Sequence, residues 1–171
     1  MDELLEQSLL QLARETLRAT LTHQPLPDPS VVQTDDEPFG GAFVTLRNHG
    51  RLRGCMGRFH PTAPLPDTIQ KMAMTVLEDP RFRRSPVTAD ELSEIDIEIS
   101  VLSAMTRSEH PETLVPGQHG VYVSKDGQSG CFLPQVASEQ GWSAEELLAQ
   151  CCANKAGLVR DAWRDPACKV S

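Results

Sequence analysis

The sequence predicts an α+β fold built on a mixed or mainly antiparallel sheet with flanking helices. Two observations lead to this prediction: segments with a strand-like, alternating pattern arrive as hairpins, and segments with helical spacing lie between them. With 171 residues, the chain has the length of one domain, or of one domain with a small additional lobe.

Residues 2–21 are predicted to form an amphipathic helix. Leucine, alanine and threonine side chains recur there at helical spacing, and the charged residues fall largely on the other face. Prolines recur in residues 23–30, and the sequence TDDEP occupies residues 34–38, so an extended, exposed loop is expected before the sheet. Because a single helix cannot bury its own apolar face, we interpret this loop as internal to a domain.

Residues 40–57 have the period of two that is typical of a β-hairpin, with the turn at residues 48–50. A two-residue loop would put Arg53 opposite an apolar residue and mix the faces, so a three-residue loop is preferred. That loop places Cys55 on the same face as Arg51 and Arg53. Its register sets Leu46 opposite Leu52, Val44 opposite Gly54, Thr45 opposite Arg53 and Phe43 opposite Cys55.

The later elements are predicted from the same signals. An apolar stripe marks a helix at residues 67–77, which ends at Asp79-Pro80. A capping box at 88–91 opens a short helical turn, residues 95–101 alternate as a half-buried strand, and a second hairpin joins 121–124 to 128–133. After Pro134 the chain is predicted helical, with a capping box at 143–146 and Gly157 as the helix stop.

The charge balance argues against general binding to nucleic acids or anionic membranes. The chain has 16 Lys and Arg against 24 Asp and Glu, a net charge of -8, whereas both kinds of partner require positive charge. No apolar run is long enough to span a bilayer. The acidic N-terminus does not have the pattern of a signal peptide, so a cytoplasmic location is expected.

The cysteines indicate reduced thiols. There are five of them, an odd number, with no CxxC pair and no regular spacing. This pattern fits a reducing compartment and predicts neither a disulfide framework nor a four-cysteine zinc site. The sequence leaves any cofactor unknown.

The segment RLRGCMGR at residues 51–58 is the most unusual feature of the chain. Positive charge near a thiol favours the nucleophilic thiolate, and arginines surround Cys55. Glycines inside a strand, here Gly54 and Gly57, allow a bulge or the close approach of a ligand. These features favour a functional role for Cys55. The alternative is a structural role, in which Cys55 is a small buried residue that fills a gap in the packing.

Local charge also points to this segment. Residues 38–77 contain five basic residues and one acidic residue, so a phosphate, a carboxylate or an acidic protein surface would fit there. The alternative is a hairpin face whose arginines are solvated. If the end of the helix at 67–77 meets the strand that carries Cys55, Glu78 would be a base or a ligand. The alternative is a structural role, in which Glu78 anchors a neighbouring arginine or the helix terminus.

Several motifs together resemble the AMMECR domain family, whose bacterial and archaeal members are called protein A of the AmmeMemoRadiSam system. They are LRGCMG at 52–57, EDPRF at 78–82, EISVLS at 98–103, HG at 119–120, FLPQVASEQGW at 132–142, KAGL at 155–158 and DAW at 161–163. The motifs occur in the family's order over nearly the whole chain. The resemblance implies one AMMECR-type domain over residues 1–171, with a larger and a smaller lobe in one compact unit.

The resemblance also implies where function resides. The LRGCMG segment would line a functional cleft, and a Memo-type protein and a radical-SAM protein would be partners. The residues carried over are Leu52, Arg53, Gly54, Cys55, Met56 and Gly57, with Glu78, Asp79 and Arg81 as further candidates. The chain departs from the family at residues 168–171, where a final strand would usually follow; without it, one sheet edge would be open.

Two functional hypotheses follow. In the first, Cys55 is a nucleophile, redox group or transient carrier in a radical-SAM-linked pathway, Arg53 stabilises its thiolate and binds a small anionic group, and the glycines admit the substrate. In the second, the protein is a non-enzymatic adaptor that docks an acidic partner through the patch from Arg47 to Arg58.

Overall fold

The computed structural model describes residues 2–34 and 38–171, which divide into two compact units, residues 1–104 and 105–171. Each unit combines helices with a three-stranded antiparallel sheet, so the predicted α+β class is confirmed. The middle of the predicted TDDEP loop, residues 35–37, lies outside the described residues. A single domain over residues 1–171 stays a prediction.

The first unit packs two helices on one face of its sheet. The helices are α1 (Glu3–Thr22) and α2 (Leu65–Thr75), and the strands are β1 (Phe39–Asn48), β2 (Arg51–Phe59) and β3 (Ile95–Ser103). The strand order is β2-β1-β3, so β2 is an edge strand. The predicted helices and the strand at 95–101 are confirmed.

The core of this unit follows the predicted periodicities. Leu9, Leu12 and Leu17 of α1 are almost fully buried, as helical spacing requires of one face. On β1, Val44 and Leu46 are fully buried and belong to the same apolar cluster. Because side chains alternate across a strand, the intervening residues of β1 lie on the opposite face of the sheet.

The predicted register of the first hairpin is wrong. The turn has two residues, His49 and Gly50, with φ angles of 47° and 77°, the positive values that a tight hairpin turn needs at both positions. Leu46 pairs with Gly54 and Arg47 with Leu52, so Arg53 is the extra residue of a β-bulge. The bulge restores the apolar face that a regular two-residue hairpin would have mixed.

The bulge also changes which residues share a face. Arg51 now lies opposite Asn48, on the side of the core strand residues, whereas Leu52 lies opposite Arg47. The predicted grouping of Arg51 with Cys55 is therefore wrong. Cys55 itself pairs with Thr45 and stays on the face away from the helices.

The second unit has its own sheet and core. Its elements are β4 (Val121–Lys125), β5 (Gln128–Phe132), α3 (Pro134–Gln140), α4 (Ala144–Gln150) and β6 (Lys169–Val170), with strand order β5-β4-β6. The turn of its hairpin, the Ser143 cap and the left-handed Gly157 agree with the prediction. A π-helical segment, Cys151–Ala156, continues α4.

A final strand is present at the C-terminus. Val170 lies opposite Val123 and Lys169 opposite Ser124, and Tyr122 and Ser171 exchange two backbone hydrogen bonds. The chain therefore has the final strand, and β6 pairs with β4 along the edge that its absence would have left open. Among the described residues, no helix has the length and apolar character needed to cross a membrane.

Candidate functional site

Cys55 lies in the middle of edge strand β2, and its sulfur faces away from the helical side of the sheet. The residue is half-buried, and Thr45 lies directly opposite on β1. The Thr45 hydroxyl Oγ1 donates a hydrogen bond to the Cys55 Sγ at 3.2 Å. Thr45 was not predicted as a site residue because the predicted register placed it opposite Arg53.

The backbone of Cys55 is bound by side chains on the outer edge of the sheet. Its N–H donates to the Asp79 Oδ2 at 3.0 Å, and its C=O accepts from the Arg81 Nη2 at 3.1 Å. Edge strands ordinarily leave such groups to solvent. Asp79 and Arg81 therefore replace a neighbouring strand at this one residue, and we refer to this pair as the edge clamp.

Asp79 is the buried half of the edge clamp. The residue is 2% exposed and accepts hydrogen bonds from the Arg81 backbone N–H, Nε and Nη2, the last at 2.6 Å. These bonds to Arg81 hold the pKa of the Asp79 carboxyl well below its usual range, against the opposing effect of burial, and the Cys55 N–H adds to the lowering.

Local sequence explains this geometry. Asp79 caps the 3₁₀ turn Pro80–Phe82, and a proline at the first position of such a turn has no N–H to satisfy. The 3₁₀ turn Val76–Glu78 directly precedes Asp79 and continues α2. The sequence Glu-Asp-Pro-Arg-Phe therefore carries the chain from the helix to the sheet edge.

Arg81 is the exposed half of the edge clamp. Its side chain is 55% exposed, and its guanidinium lies 5.7 Å from the ring centre of Phe82. The hydrogen bond to Asp79 raises the Arg81 pKa, and the nearby Cys55 also contributes. Nε and Nη2 bind Asp79 and Cys55, whereas Nη1 has no hydrogen-bond partner within the described part of the chain.

The Arg53 guanidinium binds groups other than Cys55 and lies 5.9 Å from the ring centre of Phe82. Its Nη2 donates to the Glu91 Oε2 at 2.8 Å, and Nη1 and Nη2 also donate to the carbonyls of Ser85 and Pro86. The Arg53 side chain is only 16% exposed. The hydrogen bond with Glu91 raises the Arg53 pKa. In this arrangement Arg53 ties the bulge to the segment before β3 and has few donors left for an anionic substrate.

The basic segment is thus partly neutralised in the folded chain. Arg47 lies 3.8 Å from Glu98 on β3, in addition to the Arg53 pair. Arg51 and Arg58 are exposed on β2 and form no ion pair with a described residue. The excess positive charge counted along the sequence therefore overstates the charge that this surface offers to a partner.

The two glycines of the motif allow close packing on opposite faces of β2. A Cβ on Gly54 would lie 2.9 Å from the Val76 carbonyl oxygen, where the end of α2 approaches the sheet. A Cβ on Gly57 would lie 1.9 Å from the ring of Phe43, which also makes an edge-to-face contact with Phe59. Gly54 and Gly57 were expected to leave space for a ligand, but protein atoms fill that space.

The other predicted site residues are not gathered at the sulfur. Glu78 is exposed, and its neighbour Asp79 is the carboxylate that binds Cys55. Met56 packs against the apolar core of the first unit. Leu52 is half-buried opposite Arg47. In the sequence, the position of Asp79 directly before Pro80 indicates its structural role, because an Asp before a Pro is typical of a turn cap.

The remaining cysteines belong to the second unit. Cys151, Cys152 and Cys168 are buried, and burial raises the pKa of each thiol, that of Cys151 to about 12. Buried thiols of this kind are unreactive. Cys131 is half-buried, as Cys55 is. Within the described ranges no three His, Cys, Asp or Glu side chains meet in a group that could hold a metal ion.

Comparison with known proteins identifies the family. The AMMECR1 family model matches residues 10–171. The chain belongs to the AMMECR1 family. A Methanosarcina barkeri relative of the family is 38% identical over 164 residues, which cover 90% of this chain and 80% of the relative. A Thermococcus kodakarensis relative is 38% identical over 178 residues, covering 95% and 83%.

A solved structure supports the same fold. The crystal structure of an uncharacterized protein from Pyrococcus horikoshii matches with a TM-score of 0.83 and 34% identity, covering 99% of this chain and 88% of that one. Family membership and the α+β fold are thereby shown, and neither comparison describes a reaction.

Proposed function

We propose that Cys55 is the reactive group of this protein and forms a transient covalent bond with a small anionic substrate. The observation that carries the proposal is the position of the thiol: the edge clamp fixes the Cys55 backbone, and Thr45 contacts its sulfur. A buried carboxylate is costly to retain. That Asp79 is devoted to Arg81 and Cys55 supports a role for Cys55 beyond packing.

The chemistry is nucleophilic substitution at the substrate. The thiol loses its proton to solvent, and the sulfur electron pair forms a bond to an electrophilic carbon. The bond from that carbon to its leaving group breaks, and the leaving group departs with the electron pair. A second nucleophile then displaces the carried group, and the thiolate is regenerated.

The wider setting is part of the proposal. We place this chemistry in a radical-SAM-linked modification pathway, with a Memo-type protein and a radical-SAM protein as partners, on the basis of family membership. Five cysteines without a disulfide bond are typical of a reducing compartment, so we propose a cytoplasmic location.

Alkylation with iodoacetamide tests the reactive thiol. At neutral pH we expect Cys55 to be modified about tenfold faster than Cys131, because both are half-buried and we propose that Thr45 and the edge clamp hold Cys55 ready to react. Peptide mass spectrometry of the native protein gives each rate. The three buried cysteines should stay unmodified and report that the fold is intact. Equal rates at Cys55 and Cys131 would rule out an activated Cys55.

A second candidate function is docking of an acidic partner. Arg51 and Arg58 favour it, because both are exposed and neither forms an ion pair with any residue in the described ranges 2–34 and 38–171. Here we expect the double variant R51E/R58E to lose capture of the Memo-type or radical-SAM protein, whereas Cys55→Ser retains it. Pull-down with both purified partners is the measurement. If the charge-reversed variant binds as well as the wild type, docking through this patch is excluded.

A further inference from the structure

We propose that Arg81, rather than Arg53, anchors the substrate anion at Cys55, and that the substrate is an electrophile carrying a carboxylate. This inference rests on the proposed function and specifies its substrate class. It follows from the hydrogen bonds that each arginine already makes.

The first step compares the two arginines. Arg53 has Glu91 and two backbone carbonyls on its guanidinium, and its side chain is largely buried. To bind an anion there, the protein would have to break these bonds. The Arg81 Nη1 has no hydrogen-bond partner among the residues that the structure describes, and more than half of the Arg81 side chain is exposed to solvent. Arg81 can therefore donate hydrogen bonds to an anion without breaking any that it already forms.

The second step concerns orientation. Asp79 binds Nε and Nη2 of Arg81 together, which fixes the plane of the guanidinium, and Nη2 also donates to the Cys55 carbonyl. The Arg81 Nη1 is therefore held beside the residue that carries the thiol. In this proposal, a carboxylate on Nη1 brings its adjacent carbon to the sulfur of the same residue whose carbonyl Nη2 binds.

The third step selects the class of anion. The negative charge of Asp79 balances the positive charge of Arg81, so the edge clamp offers directed N–H donors without excess positive charge. Such a site suits a monoanionic carboxylate, which needs one or two donors, better than a phosphate dianion, which favours several cations.

Two alkylating reagents test the inference, since iodoacetate and iodoacetamide differ in charge and hardly in size. In both, the sulfur bonds to the methylene carbon and iodide leaves with the electron pair. We expect the ratio of iodoacetate to iodoacetamide rates to be about five- to tenfold higher at Cys55 than at Cys131, the effect of one solvent-screened, charge-assisted hydrogen bond. Arg81→Gln should lower the ratio at Cys55 to that of Cys131.

The matched control is Arg84→Gln, which removes another exposed arginine three residues further along the chain and should leave the ratio unchanged. If R81Q lowers both rates equally, Arg81 only supports the strand and the inference is overturned. Protection of Cys55 by inorganic phosphate, but not by acetate, would overturn the carboxylate assignment. A Cys55 that is slow with iodoacetamide rejects the proposed function itself, whereas a fast Cys55 without preference for iodoacetate rejects only the role of Arg81.

Discussion

Asp79→Ala is expected to lower the free energy of unfolding of the first unit by about 3 kcal/mol. The substitution removes the buried carboxylate and leaves the Cys55 N–H and the Arg81 backbone N–H without their acceptor. The loss lies at the lower end of the range for broken buried ion pairs because the half-exposed Arg81 can regain water. Urea unfolding at pH 7 measures the change.

The same carboxylate gives the stability a defined pH dependence. Because the pKa of Asp79 is lower in the folded chain than its unfolded value of about 3.9, its contribution is present above that pH and is lost as the pH falls further. The wild type should therefore lose stability steeply below about pH 4. The Asp79→Asn variant should be less stable than the wild type at neutral pH. Its free energy of unfolding should also fall less steeply below about pH 4, a region of the pH profile that we call the acid limb.

The control for this prediction is Asp96→Asn, an exposed carboxylate on β3. It should leave both the neutral stability and the acid limb nearly as in the wild type, since exposed groups contribute little. An Asp79→Asn variant with the full acid limb of the wild type would show that the edge clamp does not couple to folding.

Gly54→Ala is expected to cost about 1–3 kcal/mol of stability, the usual range for overpacking. Its Cβ would approach both the side chain and the backbone carbonyl of Val76 at 2.9 Å, and a backbone carbonyl cannot rotate away. The segment from Val76 to Asp79 would have to shift. Because Asp79 ends this segment and Arg81 follows it, the edge clamp would shift as well. We therefore expect the substitution also to slow the alkylation of Cys55.

Gly57→Ala provides the comparison, since its new Cβ would meet only the Phe43 ring among its nearest neighbours. Truncating the ring in F43A should relieve most of the cost of G57A, whereas V76A should relieve little of the cost of G54A because the carbonyl remains. Double-mutant cycles on thermal or urea unfolding give both coupling energies. Rescue of G54A by V76A would contradict the backbone explanation.

Periodicity in the sequence was sufficient for the helices, the strand at 95–101 and the face on which Cys55 lies. It failed at the first hairpin because a bulge at Arg53 is invisible to a count of alternating residues. The two-residue turn looked unfavourable only because the bulge was not considered. A histidine at φ 47° is one of the few residues besides glycine that enters this region readily.

Local signals in the sequence could indicate contacts between nearby residues, whereas contacts with tertiary partners left no such signal. The unusual environment of Cys55 and the link between Asp79 and a neighbouring arginine could be read from adjacent residues. The commitment of Arg53 to Glu91 could not, because 38 residues separate the two. Charge counting along the chain likewise could not reveal that Glu98 pairs with Arg47.

The rate of Cys55 alkylation in the native protein, compared with the rate in urea, tests the central claim most directly. Unfolding removes Thr45 and the edge clamp, and the same residue then serves as its own reference. We predict that Cys55 reacts faster with iodoacetamide in the folded protein than in the unfolded chain, while Cys131 does not. A Cys55 that reacts more slowly when folded would show a thiol that the structure merely protects, and would contradict the account.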